Sequence, residues 1–241
     1  MTDRDGIADS HFSCNGDEQT EEPPIDSPFY TKHFRVTIFG SARIEENDPI
    51  YNEVVTLAKL IAAENIDIVT GGGPGLMEAA CKGHHEGRRN DLTHSIGLNI
   101  KIPQEQKPNL HLDIKREFER FSERLDTFMM LSDVVVVCPG GVGTLLEFAY
   151  TWQLVQVKHI CRIPIILLGD MWLEFMKWIE TYPLAREFLS RKDVDPLMFA
   201  KDSHEAIAII KKFHEGYLKG DNICLNFKKY KVDLSQERKD L

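Results

Sequence analysis

The stretch that decides the fold is VVVVCPGGVGTLLE, from Val134 to Glu147. Its four valines and a cysteine form a continuous apolar run, which is typical of a strand buried on both faces of a parallel sheet. The glycines that follow let the backbone turn sharply, and the spacing from about Thr144 to Val157 predicts a helix. A strand, a glycine turn and a helix in this order indicate one unit of an α/β fold.

The same alternation of short apolar runs and amphipathic stretches extends outward from this unit. Further strands are predicted at FRVTIFG, IDIVT, HSIGLNI, IPIILL and around Phe199. Further helices are predicted at Pro49 to Ala63, Leu76 to Gly87, Phe121 to Leu131, after Gly169, and at Ser203 to His214. We therefore predict a single α/β domain with a Rossmann-like, doubly wound, mostly parallel sheet and helices on both faces.

The charge of the chain is concentrated near its beginning. Residues 1–33 carry a net charge of −6 out of the total of −9, and residues 1–32 show no periodicity, so we predict a disordered acidic tail over 1–32. We assign 33–216 to a nucleotide-binding catalytic domain and 217–241 to a C-terminal extension. A nearly neutral domain without a basic stripe argues against a nucleic-acid partner.

Composition also bears on the cellular location of the protein. The longest apolar runs are far shorter than the roughly 18 residues that a membrane-spanning helix needs, and charged residues stand where a secretory signal would begin. The five cysteines form no CxxC pair and no cluster with zinc spacing. We expect a cytoplasmic protein with reduced cysteines, no membrane partner and no bound metal.

Three segments leave predicted strands and enter predicted helices, where open parallel sheets bind ligands. They are FGSAR, TGGGPGLMEA and CPGGVGTLLE. We expect the backbone amides of the CPGGVGT turn to hold an anion, the glycines of TGGGPG to close the opposite wall, and side chains from the first two segments to line a base pocket. The candidate binding residues are Ser41, Gly72, Gly73, Met77, Gly140, Gly141, Gly143 and Thr144.

The usual phosphate-binding motifs are absent. The pattern GxGxxG fails because Leu76 and Leu146 stand where its third glycine belongs, which disfavours a dinucleotide-dependent oxidoreductase. No lysine follows either glycine cluster, so a P-loop that hydrolyses triphosphates is disfavoured as well. A monophosphate is the favoured ligand.

Two charged residues have both a structural and a functional interpretation. Thr144 and Glu147 have the spacing of a capping box, whereas a carboxylate beside a phosphate-binding turn could also act on the glycosidic carbon of a nucleotide. Arg124 follows Arg116, Glu119, Arg120 and Glu123, as on a solvated helix face. The residues alone leave both alternatives open.

The strings TGGGPGLMEAA and SDVVVVCPGGVGTLLE together resemble the LONELY GUY family, whose members are also labelled possible lysine decarboxylases. The family's PGGxGTxxE motif is matched in full from Pro139 to Glu147. The resemblance implies a phosphoribohydrolase that cleaves nucleoside 5′-monophosphates such as AMP without a cofactor and assembles as a homodimer or larger homo-oligomer. It places the catalytic glutamate at Glu147 and the catalytic arginine at Arg124.

One position departs from the plant-type pattern, in which a lysine follows the arginine. The residue here is Leu125, and the string RLDTF is more similar to that of bacterial nucleotide 5′-monophosphate nucleosidases, which accept purine and pyrimidine nucleotides. Cytokinin riboside monophosphates remain one substrate among several. The alternative is a carrier of similar fold that binds a nucleotide or molybdenum cofactor without cleaving it. A decarboxylase finds no support, because no lysine stands in a recognisable pyridoxal phosphate context.

Overall fold

The computed structural model describes residues 33–101 and 109–220. The predicted tail and nearly all of the predicted C-terminal extension lie outside the described residues. The last described helix continues to Leu218, so it passes through the predicted start of that extension at residue 217.

A seven-stranded parallel sheet forms the centre of the domain, in the order β4-β3-β2-β1-β5-β6-β7. The strands are β1 Arg35–Phe39, β2 Asp67–Thr70, β3 Ser95–Ile100, β4 Ile114–Phe118, β5 Val134–Val137, β6 Ile165–Leu168 and β7 Leu197–Ala200. The helices are α1 Pro49–Ala63, α2 Leu76–Gly87, α3 Phe121–Leu131, α4 Val142–Gln156, α5 Met171–Ile179, α6 Arg191–Val194 and α7 Ser203–Leu218, with a π-helical turn at Glu180–Leu184. This arrangement confirms the predicted α/β fold.

The valine run forms one of the most deeply buried strands. Every residue of β5 is fully buried, and β5 lies between β1 and β6. Burial of both faces explains why its sequence is continuously apolar rather than alternating.

Edge strand β4 was not predicted. Lys115, Arg116 and Glu117 occupy its middle, and its exposure alternates because successive side chains point to opposite faces of the sheet. Charged residues are common on edge strands, where they discourage pairing with another chain. Arg116 therefore lies in this strand and not on a helix face shared with Arg124, since α3 begins only at Phe121. The predicted helix face was wrong at this residue.

The order of the strands reverses between β1 and β5, and ligands bind at such switch points in open α/β sheets. Backbone hydrogen bonds join the two chain segments that leave these strands. The amide of Cys138 donates to the Phe39 carbonyl at 2.8 Å, and the amide of Ser41 donates to the Pro139 carbonyl at 3.1 Å. The loops that follow β1 and β5 are thus held side by side.

The helices differ in how their first backbone amides are capped. The side chain of Asp48 caps α1 and that of Asp202 caps α7. By contrast, the N-caps of α2 and α4 are Gly75 and Gly141, which have no side chain to accept from the first amides. The Leu76 amide of α2 donates to the Ser41 carbonyl, whereas the first amides of α4 have no acceptor among the described residues and are available to a ligand. No helix within 33–101 and 109–220 is long and apolar enough to cross a membrane.

Candidate active site

Arg124 and Glu147 form an ion pair at the carboxyl edge of the sheet. The Nη1 atom of Arg124 donates to Oε1 of Glu147 at 3.0 Å, and its Nε atom donates to the carbonyl of Leu98 at 2.6 Å. Arg124 is only 7% exposed. The solvated-face interpretation is therefore wrong for Arg124, although it describes the exposed pair of Arg120 and Glu123 well.

Glu147 does not form a capping box with Thr144. Helix α4 begins at Val142, after the N-cap residue Gly141, so Thr144 lies inside the first turn and caps nothing. The capping-box alternative is wrong because the helix starts two residues before the predicted position. The side chain of Glu147 is instead committed to Arg124, while its Oε2 atom accepts no hydrogen bond from the described residues.

Burial and pairing act in opposite directions on this carboxylate. Desolvation raises the pKa of Glu147 above its usual value, and the charge and hydrogen bond of Arg124 pull it back only in part. Desolvation likewise lowers the pKa of Arg124, with Glu147 opposing, yet a guanidinium stays protonated in proteins. Glu147 is thus a carboxylate of raised basicity beside a permanent positive charge.

The loop after β2 forms a wall against this pair. A Cβ atom placed on Gly71 would lie 2.5 Å from Nη2 of Arg124 and 2.6 Å from the sulfur of Met77. Only glycine allows both side chains to approach the backbone here. The structure therefore brings Met77, proposed from the sequence, beside Arg124 and the glycine loop. Among the described residues, Nη2 of Arg124 has no hydrogen-bond acceptor and faces this loop.

Ser41 lies where the three predicted loops meet. Besides its amide bond to Pro139, its carbonyl accepts from the amide of Leu76 at 2.9 Å. Gly75, with φ of 70°, packs directly on this carbonyl, and a Cβ there would lie 2.5 Å from it. The side-chain oxygen of Ser41 accepts from the amide of Arg43 within its own loop. The backbone of Ser41 thus joins the three loops, and its side chain bonds within its own loop.

The glycines before and within α4 differ in their surroundings. A Cβ on Gly140 would collide with the side chain of Thr144, which is 4% exposed. Gly141 and Gly143 have open space where a Cβ would be. The amides at the start of α4 are therefore accessible from outside, whereas Thr144 supports the turn from behind.

Leu125 is turned into the protein. It is 6% exposed and belongs to the buried apolar residues. The position that follows the arginine therefore supplies no second cation to the site.

Two asparagines of the site were not singled out in the sequence. Asn99 at the end of β3 and Asn109 both donate to carbonyls of the glycine loop after β2. The strings GLNI and KPNL that contain them carried no pattern with a known mechanism. The one available clue was that Asn99 ends a predicted strand at the ligand-binding edge.

A separate cavity of about 780 Å³ opens at the opposite, amino edge of the sheet. Residues that precede β1, β5, β6 and β7 line it together with α7, and none of the candidate site residues is among them. Its walls include the exposed ion pair of Arg162 and Asp195. The candidate site described above is the carboxyl edge, where Arg124 and Glu147 form a buried pair.

A parallel sheet with the uncapped start of α4 and a buried carboxylate beside its switch point defines a Rossmann-like α/β protein. Comparison with known families makes this more specific. The chain belongs to the family described as possible lysine decarboxylase, which matches residues 77–210. This membership confirms the family resemblance.

Its curated relatives include a pyrimidine/purine nucleotide 5′-monophosphate nucleosidase from Escherichia coli (strain K12). The two sequences are 31% identical over 140 residues, which is 56% of this chain and 30% of the relative. The chain thus spans about a third of the length of the curated relatives that it matches.

Solved structures of similar fold include two proteins named for the molybdenum cofactor. One is the molybdenum cofactor binding protein of Rippkaea orientalis, with a TM-score of 0.58 and 23% identity over 76% of this chain and 98% of that one. The other is the molybdenum cofactor carrier protein of Chlamydomonas reinhardtii, with a TM-score of 0.56 and 24% identity over 76% of this chain and 99% of that one. At these identities the likeness establishes the fold alone.

The family's description suggests pyridoxal phosphate chemistry, which the residues do not fit. That cofactor is held as a Schiff base by a lysine amine. Among the described residues, the buried cations are arginines, and no lysine is buried. The described residues therefore do not support a pyridoxal phosphate mechanism.

Proposed function

We propose that this protein hydrolyses the N-glycosidic bond of nucleoside 5′-monophosphates to a free base and ribose 5-phosphate. The observation that carries the proposal is the buried Glu147, held by Arg124 at 3.0 Å beside the uncapped start of α4. A carboxylate of raised pKa next to an anion-binding helix start suits a substrate with a phosphate at one end and a sugar carbon to be attacked at the other.

Glu147 would carry the chemical step. Glycosidic cleavage passes through a transition state with positive charge on the sugar ring, which a nearby carboxylate stabilises. The carboxylate takes a proton from water as the water oxygen bonds to C1′, while the bond from C1′ to the base breaks and the base departs with its electron pair. The base then accepts a proton from solvent, and Glu147 returns its own proton to solvent. Because Oε1 is occupied by Arg124, the free Oε2 is the atom that we assign to the water.

The phosphate would bind at the start of α4. Open space at Gly141 and Gly143 lets an anion reach the first amides of the helix, where the helix dipole favours negative charge. Gly140 and Thr144 form the turn behind it, and Gly72 and Gly73 form the opposite wall. The Nη2 atom of Arg124 would orient the ribose or phosphate from the side.

The range of bases is proposed from the relative and from Leu125. The Escherichia coli relative is named for purine and pyrimidine substrates, and the buried Leu125 leaves the site without the lysine of plant-type members. We propose a nucleosidase that accepts several nucleoside monophosphates, AMP among them, rather than one confined to cytokinin ribosides.

The proposal is tested by incubating the purified chain with AMP, GMP, CMP and UMP and separating the products by chromatography. We expect free base and ribose 5-phosphate in equal amounts from at least one purine and one pyrimidine nucleotide. Nucleotide binding without any release of base would overturn the proposal. That outcome would favour the second candidate, a carrier that binds a nucleotide or molybdenum cofactor, which the fold shared with the solved molybdenum cofactor binding protein and carrier protein supports.

We also propose a cytoplasmic homodimer. Val142, Leu145 and Leu146 have i, i+3, i+4 spacing on one face of α4 and are 84%, 40% and 46% exposed, and Phe121 at the start of α3 is 51% exposed. Exposed apolar patches mark interaction surfaces. Light scattering after size-exclusion chromatography would give twice the chain mass, and Leu146→Glu should shift it to one chain mass. A monomeric parent would contradict the proposal.

A further inference from the structure

Asn99 and Asn109 hold one peptide group from the same side. The side-chain Nδ2 atom of Asn99 donates to the carbonyl of Gly72 at 3.3 Å, and the backbone N–H of Asn109 donates to the same carbonyl at 3.2 Å. The Nδ2 atom of Asn109 also donates to the carbonyl of Gly73 at 3.2 Å. Both asparagines are 9% exposed, so these contacts are shielded from water. The two carbonyls are thus turned away from any anion in the site.

The orientation of a carbonyl fixes that of the next amide. The peptide bonds of the described residues are trans, and in a trans peptide the N–H points opposite to the preceding carbonyl. The N–H of Gly73 therefore points away from Asn99 and Asn109. It donates to no acceptor among the described residues, and Pro74, which follows, has no N–H. The Gly73 N–H is therefore directed out of this asparagine clamp, which consists of Asn99 and Asn109.

The backbone at Gly72 leaves no room for a side chain beside Asn99. Gly72 has φ of 71°, and a Cβ there would collide with Oδ1 of Asn99. That oxygen is buried and has no hydrogen-bond partner among the described residues. An unpaired buried oxygen is unfavourable, and an apolar side chain would avoid it. The Nδ2 contact to Gly72 is therefore the feature of Asn99 that an apolar residue could not supply.

The clamped loop belongs to the site. Gly71, which directly precedes the clamped peptide, is the residue against which Arg124 and Met77 pack. We propose that Asn99 and Asn109 are positioning residues that direct the Gly73 N–H toward an oxygen of the substrate's ribose 5-phosphate part. This role rests on the proposed function only for the identity of the ligand, because binding at this amide does not require hydrolysis.

The test measures binding rather than turnover. Calorimetry would give the dissociation constants of ribose 5-phosphate and inorganic phosphate for the parent, Asn99→Leu, Asn109→Leu and the smaller Asn99→Ser. Asn90→Leu is the matched control, because Asn90 is exposed in the turn between α2 and β3 and, among the described residues, its Oδ1 accepts from the amide of Leu92 alone. Thermal melting followed by circular dichroism shows which variants are folded.

We expect the dissociation constant for ribose 5-phosphate to rise about tenfold in the folded Asn99 variants, to rise less in Asn109→Leu, whose backbone N–H still donates to Gly72, and to stay unchanged in the control. An equal loss for inorganic phosphate identifies a phosphate oxygen as the partner, and a loss confined to ribose 5-phosphate identifies a sugar oxygen. Either result supports the proposal. Folded variants that melt earlier yet bind like the parent would overturn it, as would a parent that binds neither probe. Base release by the parent is measured separately, so failure of the clamp and failure of the enzyme are distinguishable.

Discussion

The guanidinium of Arg124 and the carboxylate of Glu147 meet at 3.0 Å although 23 residues separate them in the chain. Arg124 comes from α3 and Glu147 from the second turn of α4. Each would be a buried, uncompensated charge without the other, and such a loss typically costs about 3–5 kcal/mol. The pair therefore links the stability of the site to its chemistry.

Arg124→Lys should greatly reduce activity. A lysine amine cannot reproduce the planar guanidinium that bonds Glu147 and the Leu98 carbonyl together and leaves Nη2 free. We expect kcat/KM for AMP to fall about hundredfold, equivalent to about 2.7 kcal/mol. Arg120→Lys is the control, because Arg120 is exposed and pairs with Glu123 on the surface. Equal rates for the two variants would contradict the role of Arg124.

The pH profile should reveal the carboxylate. Because burial raises the pKa of Glu147 above 4.5, the ionised form that accepts a proton is lost at a higher pH than for an exposed glutamate. The acid limb of kcat/KM should therefore have its midpoint above 4.5. In Arg124→Gln this midpoint should move further upward in the residual activity, since the positive charge that lowers the pKa is gone. A midpoint at or below 4.5 would count against Glu147 as the base.

His84 should make the folded state sensitive to acid. Its side chain is fully buried on α2, its Nε2 lies 2.9 Å from the Ile66 carbonyl, and burial lowers its pKa to about 4. Between pH 6.5 and 4, His84 is protonated in the unfolded chain but not in the folded chain, so the free energy of unfolding falls as the pH falls through this range. The expected loss is about 3 kcal/mol. Urea unfolding should show a weaker pH dependence for His84→Gln than for the parent or for His204→Gln, an exposed control. The same slope in all three would refute this.

Two glycines of the α4 turn should separate folding from binding. Gly140→Ala places a methyl group against Thr144 and should lower the melting temperature. Gly143→Ala meets open space within a helix and should raise the free energy of unfolding by about 0.5–1 kcal/mol. If phosphate binds at these amides, Gly143→Ala should nevertheless raise KM for AMP. An unchanged KM in this variant would place the phosphate elsewhere.

The fold was predictable from the sequence where burial controls composition. Helices α1, α2 and α3 begin and end at the predicted residues, and the valine run is a central strand. The start of α4 was predicted at Thr144 and lies at Val142, because a glycine N-cap has no side chain to mark it. Strand β4 was missed because an edge strand has only a partial apolar pattern.

The site was predictable only in part, for a related reason. Local spacing leaves Glu147 open between a cap and a catalytic carboxylate and is compatible with Arg124 on a solvated helix surface, and only the packing of α3 beside α4 brings the two together. The resemblance to a family, rather than spacing, pointed to this pair. The asparagine clamp depends on contacts between segments 27 and 36 residues apart, which no local pattern could indicate.

The most direct test of the central claim compares the parent with Glu147→Gln in the hydrolysis of AMP. Adenine and ribose 5-phosphate are measured together, with circular dichroism to confirm folding and Glu123→Gln, an exposed residue of α3, as the control. We predict that the parent and the control release both products in equal amounts and that Glu147→Gln is slower by about 10²–10⁴-fold. A folded Glu147→Gln variant that releases adenine as fast as the parent would contradict the assignment of Glu147 as the catalytic carboxylate.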